Sequence, residues 1–202
     1  ATGHIEQLTL AEPHVKKQRP DIYVPKDSII QIFTDLKDQR FGIDTISGLP
    51  FSNYFTNYSG EIPVFSKIKV IRDGVVDDTY AVFGSNLIFT RLEEITLLRA
   101  EALAVLGARD EAMNFLNRVR NNRNVKAYSI ISPEPLIDEI FLERRRELMG
   151  EGWRWYDQIR YNKIKNINSG IVNLIARDGI YWPIANEILL KNREVIQNEY
   201  WK

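Results

Sequence analysis

Residues 91–110, which read RLEEITLLRAEALAVLGARD, decide the fold of this chain. Their apolar side chains recur at alternating spacings of three and four residues, which is the period of one helix face. This stripe consists of Ile95, Leu98, Ala102 and Val105. Gly107 follows directly, and glycine most easily takes the left-handed conformation that ends many helices. The pattern therefore predicts a helix over residues 91–106.

A second helical pattern begins at Asp110 and runs to about residue 122. Its apolar positions are Ala112, Phe115, Leu116 and Val119. Because the connection between the two patterns is so short, the two helices are predicted to pack antiparallel, as in a tetratricopeptide unit. One such unit cannot cover its own apolar face, so another element must pack against it.

A third helix is predicted over residues 133–150. Ser132 is its expected cap, and Pro133 would occupy the first helical position, where a missing N–H costs nothing. Its apolar stripe consists of Ile137, Ile140, Phe141 and Leu148. Two glycines, Gly150 and Gly152, interrupt the helical pattern, which resumes over residues 153–161. Residues 181–202 predict short elements around Pro183.

The part of the chain before residue 87 is irregular and mixes proline, glycine, asparagine and aromatic residues. It predicts a short helix from Asp27 or Ser28 to about Arg40 and a long loop over residues 47–60. Residues 64–80, with Asp73-Gly74 as a turn, predict at most a small β-hairpin. The expected fold class is mainly α, with helical-hairpin (tetratricopeptide-like) packing and an irregular, loop-rich N-terminal part.

The composition excludes several classes of function. The 27 Lys and Arg residues balance the 27 Asp and Glu residues, so the chain lacks the basic excess of a nucleic-acid-binding surface. It contains no cysteine, which removes disulfides and thiolate chemistry from these 202 residues. No apolar run is long enough to cross a bilayer, and the first residues do not resemble a secretory signal.

Several charged residues fall on the predicted packing faces of the helices. Arg91 and Arg99 lie among the apolar positions of the first helix, and Arg144 lies between two apolar positions of the third. A buried charge must be paired, because burying it alone costs several kcal/mol. We therefore favour structural ion pairs over a functional site. The residues expected in them are Arg91, Glu94, Glu101, Arg144, Arg145, Glu147 and Asp157.

Four glutamates recur every four residues along the third helix: Glu139, Glu143, Glu147 and Glu151. Such a row can ligate a metal or supply an acid and a base for glycoside hydrolysis. A di-iron site normally adds histidines, and neither histidine of the chain lies in a predicted helix. A solvated and partly ion-paired face is therefore the favoured interpretation. No catalytic residue, no metal and no cofactor is expected.

Three blocks of sequence, in order, resemble the RagB/SusD family. The first is RLEEITLLRAEA at residues 91–102, followed by Gly107 and by LNRVR at residues 116–120. The second is IFLERRREL at residues 140–148, running into EGWRWYDQIR at residues 151–160. The third holds YWPI at residues 181–184, Glu187, Asn192 and QNEY at residues 197–200. Ala185, Arg193 and Glu199 depart from the prolines that are usual in the third block. DQR at residues 38–40 also resembles the family's short D-x-R segment.

The resemblance implies that residues 1–202 form the C-terminal region of a longer protein. Residues 1–86 would be its loop-rich part and residues 87–202 the helical part that carries the family motifs. Family members also have an N-terminal helical-repeat half and a lipidated cysteine, neither of which lies in this chain. A truncated or proteolysed piece is therefore expected.

The resemblance further implies a cell-surface lipoprotein of the outer membrane. It would capture glycans or peptides as a non-catalytic nutrient-binding component for a TonB-dependent (SusC-like) transporter. The loop aromatics are the expected ligand contacts, namely Phe51, Tyr54, Phe55 and Tyr58, although simple packing beneath the loop is the alternative for them. For the chain as a whole, the alternative is a tetratricopeptide-like protein-interaction scaffold without a small-molecule ligand.

Overall fold

The computed structural model describes residues 31–43, 50–51, 54–58, 62–65, 67, 89–132, 135–167 and 170–202. Contacts divide the chain into two compact units, residues 1–151 and residues 152–202. None of the helices in the described parts is both long and apolar enough to cross a bilayer.

Two helices form the helical hairpin of the first unit. Helix α1 spans Leu92–Val105 and helix α2 spans Arg109–Asn122. Gly107 has φ +82°, and the N–H of the following residue donates to the carbonyl of Leu103 at 2.9 Å, which closes α1 as a Schellman motif. At the other end of the hairpin, the Arg123 guanidinium lies 3.1 Å from the Glu93 carboxylate. The helices are thus antiparallel, as predicted.

A third helix, α3, spans Leu136–Glu147 and packs against both α1 and α2. The core between them consists of Leu97, Ala100, Ala112, Leu116, Val119, Tyr128, Leu136 and Ile140. The predicted start of this helix is wrong, because Pro135 occupies the cap position and makes no side-chain cap. The hydroxyl of Ser132 instead accepts a hydrogen bond from the Ser129 N–H at 3.3 Å.

The packing face of α1 is not the one that the spacing predicted. Ile95, Ala102 and Val105 are exposed, whereas the buried positions are Glu94, Leu97, Ala100 and Glu101. The helix is apolar on nearly every side, so its periodicity alone could not select a face. The choice depends on α2 and α3, which pack over Leu97 and Ala100.

The N-terminal part of the first unit contains turns and short strands. Residues 31–41 form turns rather than the predicted helix. Three side chains of this stretch pack in one cluster with the residue that precedes the strand at Phe55: Ile32, Phe33, Phe41 and Tyr54. Strand β1 (Gly42–Ile43) pairs with β2 (Pro50–Phe51), and β3 (Phe55–Tyr58) pairs with β4 (Ile62–Phe65), both antiparallel.

The predicted long loop over residues 47–60 therefore contains strand residues. Cross-strand pairing, which joins Phe55 to Phe65 and Tyr58 to Ile62, overrides the loop-like composition of this stretch. The hairpin predicted over residues 64–80 lies almost entirely outside the described residues.

The second unit contains three helices and a final 3₁₀ turn among its described residues. Helix α4 spans Arg154–Lys165, α5 spans Gly170–Ala176, α6 spans Asn186–Lys191, and the turn is Glu199–Trp201. Gly150 and Gly152 have φ of +81° and +83°, so the glycine interruption before α4 is confirmed. Within this unit the rings of Trp155 and Trp182 lie 6.1 Å apart.

Candidate functional site

The four evenly spaced glutamates, of which Glu139, Glu143 and Glu147 lie in α3 and Glu151 lies four residues beyond its end, point into the protein. A spacing of four residues places side chains on one helix face, and here that face is covered rather than solvated. Glu143 and Glu147 are 0% exposed, Glu139 is buried, and the Glu151 side chain is 4% exposed. The prediction of a solvated face is therefore wrong. Carboxylates in this position need partners, and arginines from three other segments, together with Arg146 of α3 itself, supply them.

Arg40 enters this face from the turns before β1. It is fully buried, and its Nε and Nη2 each donate to the Asp38 carboxylate at 2.9 Å. Its Nη1 lies 2.7 Å from Glu143 and 3.0 Å from Glu147. Burial lowers the pKa of Arg40, but the charges of Glu143 and Asp38 outweigh burial and hold that pKa above its ordinary value. The planar guanidinium of Arg40 thus joins three carboxylates, that of Asp38 on one edge and those of Glu143 and Glu147 on the other.

Glu147 is the centre of the network. Its carboxylate accepts from Arg123 at 2.7 and 3.0 Å, from Arg91 at 2.5 Å and from Arg40 at 3.0 Å. Burial raises the pKa of Glu147, but the Arg123 hydrogen bonds and the three guanidinium charges outweigh burial and lower this pKa from 4.5 to about 2. This carboxylate is therefore ionised throughout the physiological range and is a poor proton donor or acceptor.

The other end of the row is held by two more arginines. Arg146 lies 3.0 Å from Glu139 and 3.2 Å from Glu143, and its Nε donates to the Ile32 carbonyl at 2.6 Å. Arg120 pairs with Glu139 and lies 3.3 Å from Glu143. These contacts attach α2 and the turns around Ile32 to the same face of α3.

The network is electrically balanced among the described residues. Its six cations are Arg40, Arg91, Arg120, Arg123, Arg146 and Lys67. Its six carboxylates are Asp38, Glu93, Glu139, Glu143, Glu147 and Glu151. Equal numbers leave no net charge to attract an ion, and the burial of the glutamates denies a substrate access to them. This arrangement suits a structural clamp better than a catalytic or metal site.

The C-terminal end of α3 holds the β3–β4 hairpin. The Tyr54 hydroxyl donates to the Glu147 carbonyl at 2.8 Å, and Lys67 Nζ donates to the same carbonyl at 2.6 Å and to the Met149 carbonyl at 3.1 Å. Lys67 also pairs with Glu151, and its Nζ lies 4.3 Å from the centre of the Tyr54 ring. Burial lowers the pKa of Lys67 to about 8, although the bond to Glu151 opposes this shift.

Other predicted ion-pair residues lie nearby or in the second unit. Arg144 is fully buried, with its Nε 4.0 Å from Glu101 and its Nη1 donating to the Glu94 carbonyl at 3.4 Å. Arg145 is partly exposed, whereas its neighbour Arg146, which was not predicted to form an ion pair, is buried and pairs with Glu139 and Glu143. In the second unit, Asp157 pairs with Arg160 at 2.7 Å.

The predicted ligand aromatics have different positions. Tyr54 is 5% exposed and packs with Phe41, so its ring has no face to offer a sugar and the prediction that it contacts ligand is wrong. The backbones of Phe51, Phe55 and Tyr58 lie in β2 and β3. Their side chains lie outside what the structure describes.

Sequence reasoning missed most of the cations in the network. Arg40, Arg120, Arg123 and Arg146 lie in turns or at helix ends, where a charged residue is ordinarily exposed. One available signal was DQR at residues 38–40, since a guanidinium two residues from a carboxylate allows a local bidentate pair. The row of glutamates was the other signal, because a buried row requires as many cations.

Three helices joined by buried ion pairs, with a helical hairpin of tetratricopeptide type, define the class of fold. Residues 80–201 match the family model described as the SusD family, and the chain belongs to this family. It is 35% identical over 132 residues to the SusD-like protein P38 of Formosa agariphila, a match that covers 61% of this chain and 25% of that protein.

Two solved structures of SusD type resemble the whole chain or most of it. A SusD superfamily protein from Bacteroides thetaiotaomicron is 51% identical, with a TM-score of 0.80, over 100% of this chain and 43% of that one. A SusD homologue from the same organism is 29% identical, with a TM-score of 0.62, over 87% of this chain and 38% of that one. The chain thus spans a quarter of the curated relative and less than half of either solved structure.

Proposed function

We propose that this chain is the C-terminal region of a longer, non-catalytic nutrient-binding protein that captures glycans. The observation that carries the proposal is the SusD-family match over residues 80–201. The coverage of relatives supports the idea of a longer protein, since the chain spans 43% of a solved relative that matches it from end to end.

The geometry of α3 supports a binding protein rather than a hydrolase. Glycoside hydrolysis needs two carboxyl groups that face a sugar across a cleft, one of them able to donate a proton. Glu143 and Glu147 are fully buried, and three arginines hold Glu147 in its ionised form. The carboxylates that resemble a catalytic pair in the sequence therefore serve the fold.

We further propose that the β2–β4 segment carries part of the ligand surface, through one of the two aromatic residues of β3, Phe55 or Tyr58. Exposed aromatic faces suit sugar rings, and the bonds from Tyr54 and Lys67 to the end of α3 fix this segment in place. The longer protein would stand on the outer membrane and pass its ligand to a TonB-dependent transporter.

The decisive experiment is calorimetric titration of the longer gene product with a panel of oligosaccharides. We expect Phe55→Ala or Tyr58→Ala to weaken the binding of one glycan by about 1–3 kcal/mol, on the scale of aromatic stacking. Tyr156→Ala is the matched control, because Tyr156 is an exposed aromatic in the second unit. Failure of every glycan to bind would refute the proposed function, whereas binding that is indifferent to both substitutions would refute only the assignment of the surface.

A further inference from the structure

Trp182, in the second unit, is a large aromatic side chain that the fold leaves in solvent. It is 74% exposed, although tryptophan ordinarily buries most of its surface. The centre of its ring lies 6.1 Å from that of Trp155, and the two ring planes are tilted by 44°. Trp155 thus supports the indole on one side, and most of the ring surface remains open to solvent.

The backbone around Trp182 is fixed by two other side chains of the same unit. Trp201 Nε1 donates to the Tyr181 carbonyl at 2.6 Å. Gln197 bonds both backbone groups of Ile184, accepting from its N–H at 3.2 Å and donating to its carbonyl at 2.9 Å. The proline between these contacts restricts the conformation of the residue before it. The indole is therefore presented on a preorganised segment, which reduces the conformational entropy that a ligand must remove.

Trp182 also has a polar group that the fold does not use. Among the described residues, no group accepts a hydrogen bond from its indole N–H, and the hydroxyl of the 58% exposed Tyr181 is equally unused. An apolar protein surface packed over these rings would bury donors without acceptors, which is costly. A sugar ring, in contrast, has an apolar C–H face for the indole and hydroxyl oxygens at its rim for the N–H.

The sequence around the tryptophan favours an uncharged ligand. No charged residue stands between Asp178 and Glu187, so this segment itself carries no group that would pair with an acidic or basic sugar. Stacking on an aromatic ring needs no charge on the ligand.

We propose that Trp182 is the stacking platform of a further glycan-binding site, which takes a neutral pyranose ring and donates its indole N–H to a sugar oxygen. This inference rests on the proposed function, because it assumes a glycan-binding protein. It adds a site in the second unit to the one proposed on the β2–β4 segment of the first.

Calorimetric titration of the longer gene product with neutral hexasaccharides of glucose, mannose and xylose tests the site. We expect Trp182→Ala to raise the Kd of at least one hexasaccharide about tenfold, on the scale of aromatic stacking. Trp182→Phe should have a smaller effect, because it keeps a ring and removes only the N–H. Leu190→Ala is the matched control, since Leu190 is an 83% exposed apolar residue of the same unit without an aromatic face. Melting temperatures should be unchanged in all three variants, because these side chains are exposed.

Oxidation with N-bromosuccinimide, followed by peptide mass mapping, reports whether the ring is free. We expect Trp182 to be oxidised faster than the partly buried Trp153, in the 202-residue chain and in the longer gene product alike. A saturating concentration of the hexasaccharide that binds should slow the oxidation of Trp182 and leave that of Trp153 unchanged. Slow oxidation of Trp182 in the longer product without sugar would show that another part of the protein covers the ring, and would overturn the proposal.

The remaining outcomes separate this site from the proposed function. An unchanged Kd in Trp182→Ala would overturn the site and leave the proposed function standing, as would an equal loss of affinity in Leu190→Ala. Sugar binding that does not protect Trp182 from oxidation would do the same. Failure of every hexasaccharide to bind would overturn both.

Discussion

At the scale of single residues, Glu147 connects more segments of the described structure through its hydrogen bonds than its neighbours on α3 do. Its two carboxylate oxygens join three arginines from three separate segments, and its carbonyl receives the hairpin. A buried ion pair contributes little net stability compared with an apolar packing, but removal of one partner strands the others. The network therefore acts mainly by specifying which segments meet.

Glu147→Gln should destabilise the protein by roughly 3–5 kcal/mol in urea unfolding, because the buried guanidinium of Arg40 and the partly buried ones of Arg91 and Arg123 lose their shared counter-charge. Glu187→Gln, at an exposed position, is the control and should change the unfolding free energy little.

The destabilisation caused by Glu147→Gln depends on pH. Since the pKa of Glu147 is lowered from 4.5 to about 2, its stabilisation is fully present above pH 4.5 and declines as pH falls towards 2. The gap between wild type and Glu147→Gln should thus narrow over that interval. A gap that is constant from pH 6 to pH 2.5 would contradict the assignment.

Neighbouring arginines on α3 provide a second test at this scale. Arg144 is fully buried and Arg145 is partly exposed. Arg144→Ala should cost roughly 3–5 kcal/mol of unfolding free energy, and Arg145→Ala less than about 1, since removing a buried partner leaves polar groups unpaired. Thermal and urea melts of the two variants measure this difference. Equal melting temperatures would show that Arg144 contributes nothing through its burial.

At the scale of elements, the helix ends are determined locally. Gly107 has φ +82°, and a Cβ at this position would meet no atom within 4 Å. Gly107→Ala should therefore cost about 1 kcal/mol from the left-handed backbone alone. Gly170→Ala is matched to it, with open space but no left-handed φ, and should be neutral or slightly stabilising at the start of α5. The comparison requires only urea titrations, and an equal loss in both variants would contradict the backbone explanation.

The β3–β4 hairpin is attached to α3 through few groups. Lys67→Met removes the donor that bonds the Glu147 and Met149 carbonyls but keeps an unbranched side chain. We expect faster hydrogen exchange of the amides in residues 54–65, because the local opening free energy of the hairpin falls, with unchanged exchange in α1 and α2. Tyr54→Phe should give a smaller change, as it removes the neutral hydrogen bond to the Glu147 carbonyl and keeps the ring. Uniform acceleration across all helices would indicate global destabilisation instead.

At the scale of the whole molecule, positive and negative charges balance both in the complete chain and in the buried network. The chain has 27 basic and 27 acidic residues, and the described network pairs six cations with six carboxylates. Salt screens exposed pairs strongly and buried pairs weakly. Raising NaCl from about 0.05 to about 0.5 M should thus change the unfolding free energy by less than about 1 kcal/mol. A loss of several kcal/mol would mean that the network is open to solvent.

The sequence by itself determined the presence of helices α1 to α4, the left-handed glycine and the family, although it placed the start of α3 too early and predicted a helix before Arg40 where residues 31–41 form turns. These features depend on signals within one turn or on motifs in a fixed order, such as Gly107 after an apolar run or ERRREL before EGWRW. Charged residues on packing faces also indicated buried pairs.

The tertiary structure alone decided which face of α1 is buried and which cations meet the glutamates of α3. Helix α1 is apolar on both faces, so only its neighbours select Leu97 over Ile95. Arg40 reaches Glu147 across 107 residues of sequence, and no local pattern encodes such a distance. The physical reason is that a buried charge must find a partner, because its desolvation is costly. Which partner it finds depends on which segments lie side by side in the folded protein, and spacing along the chain does not specify that.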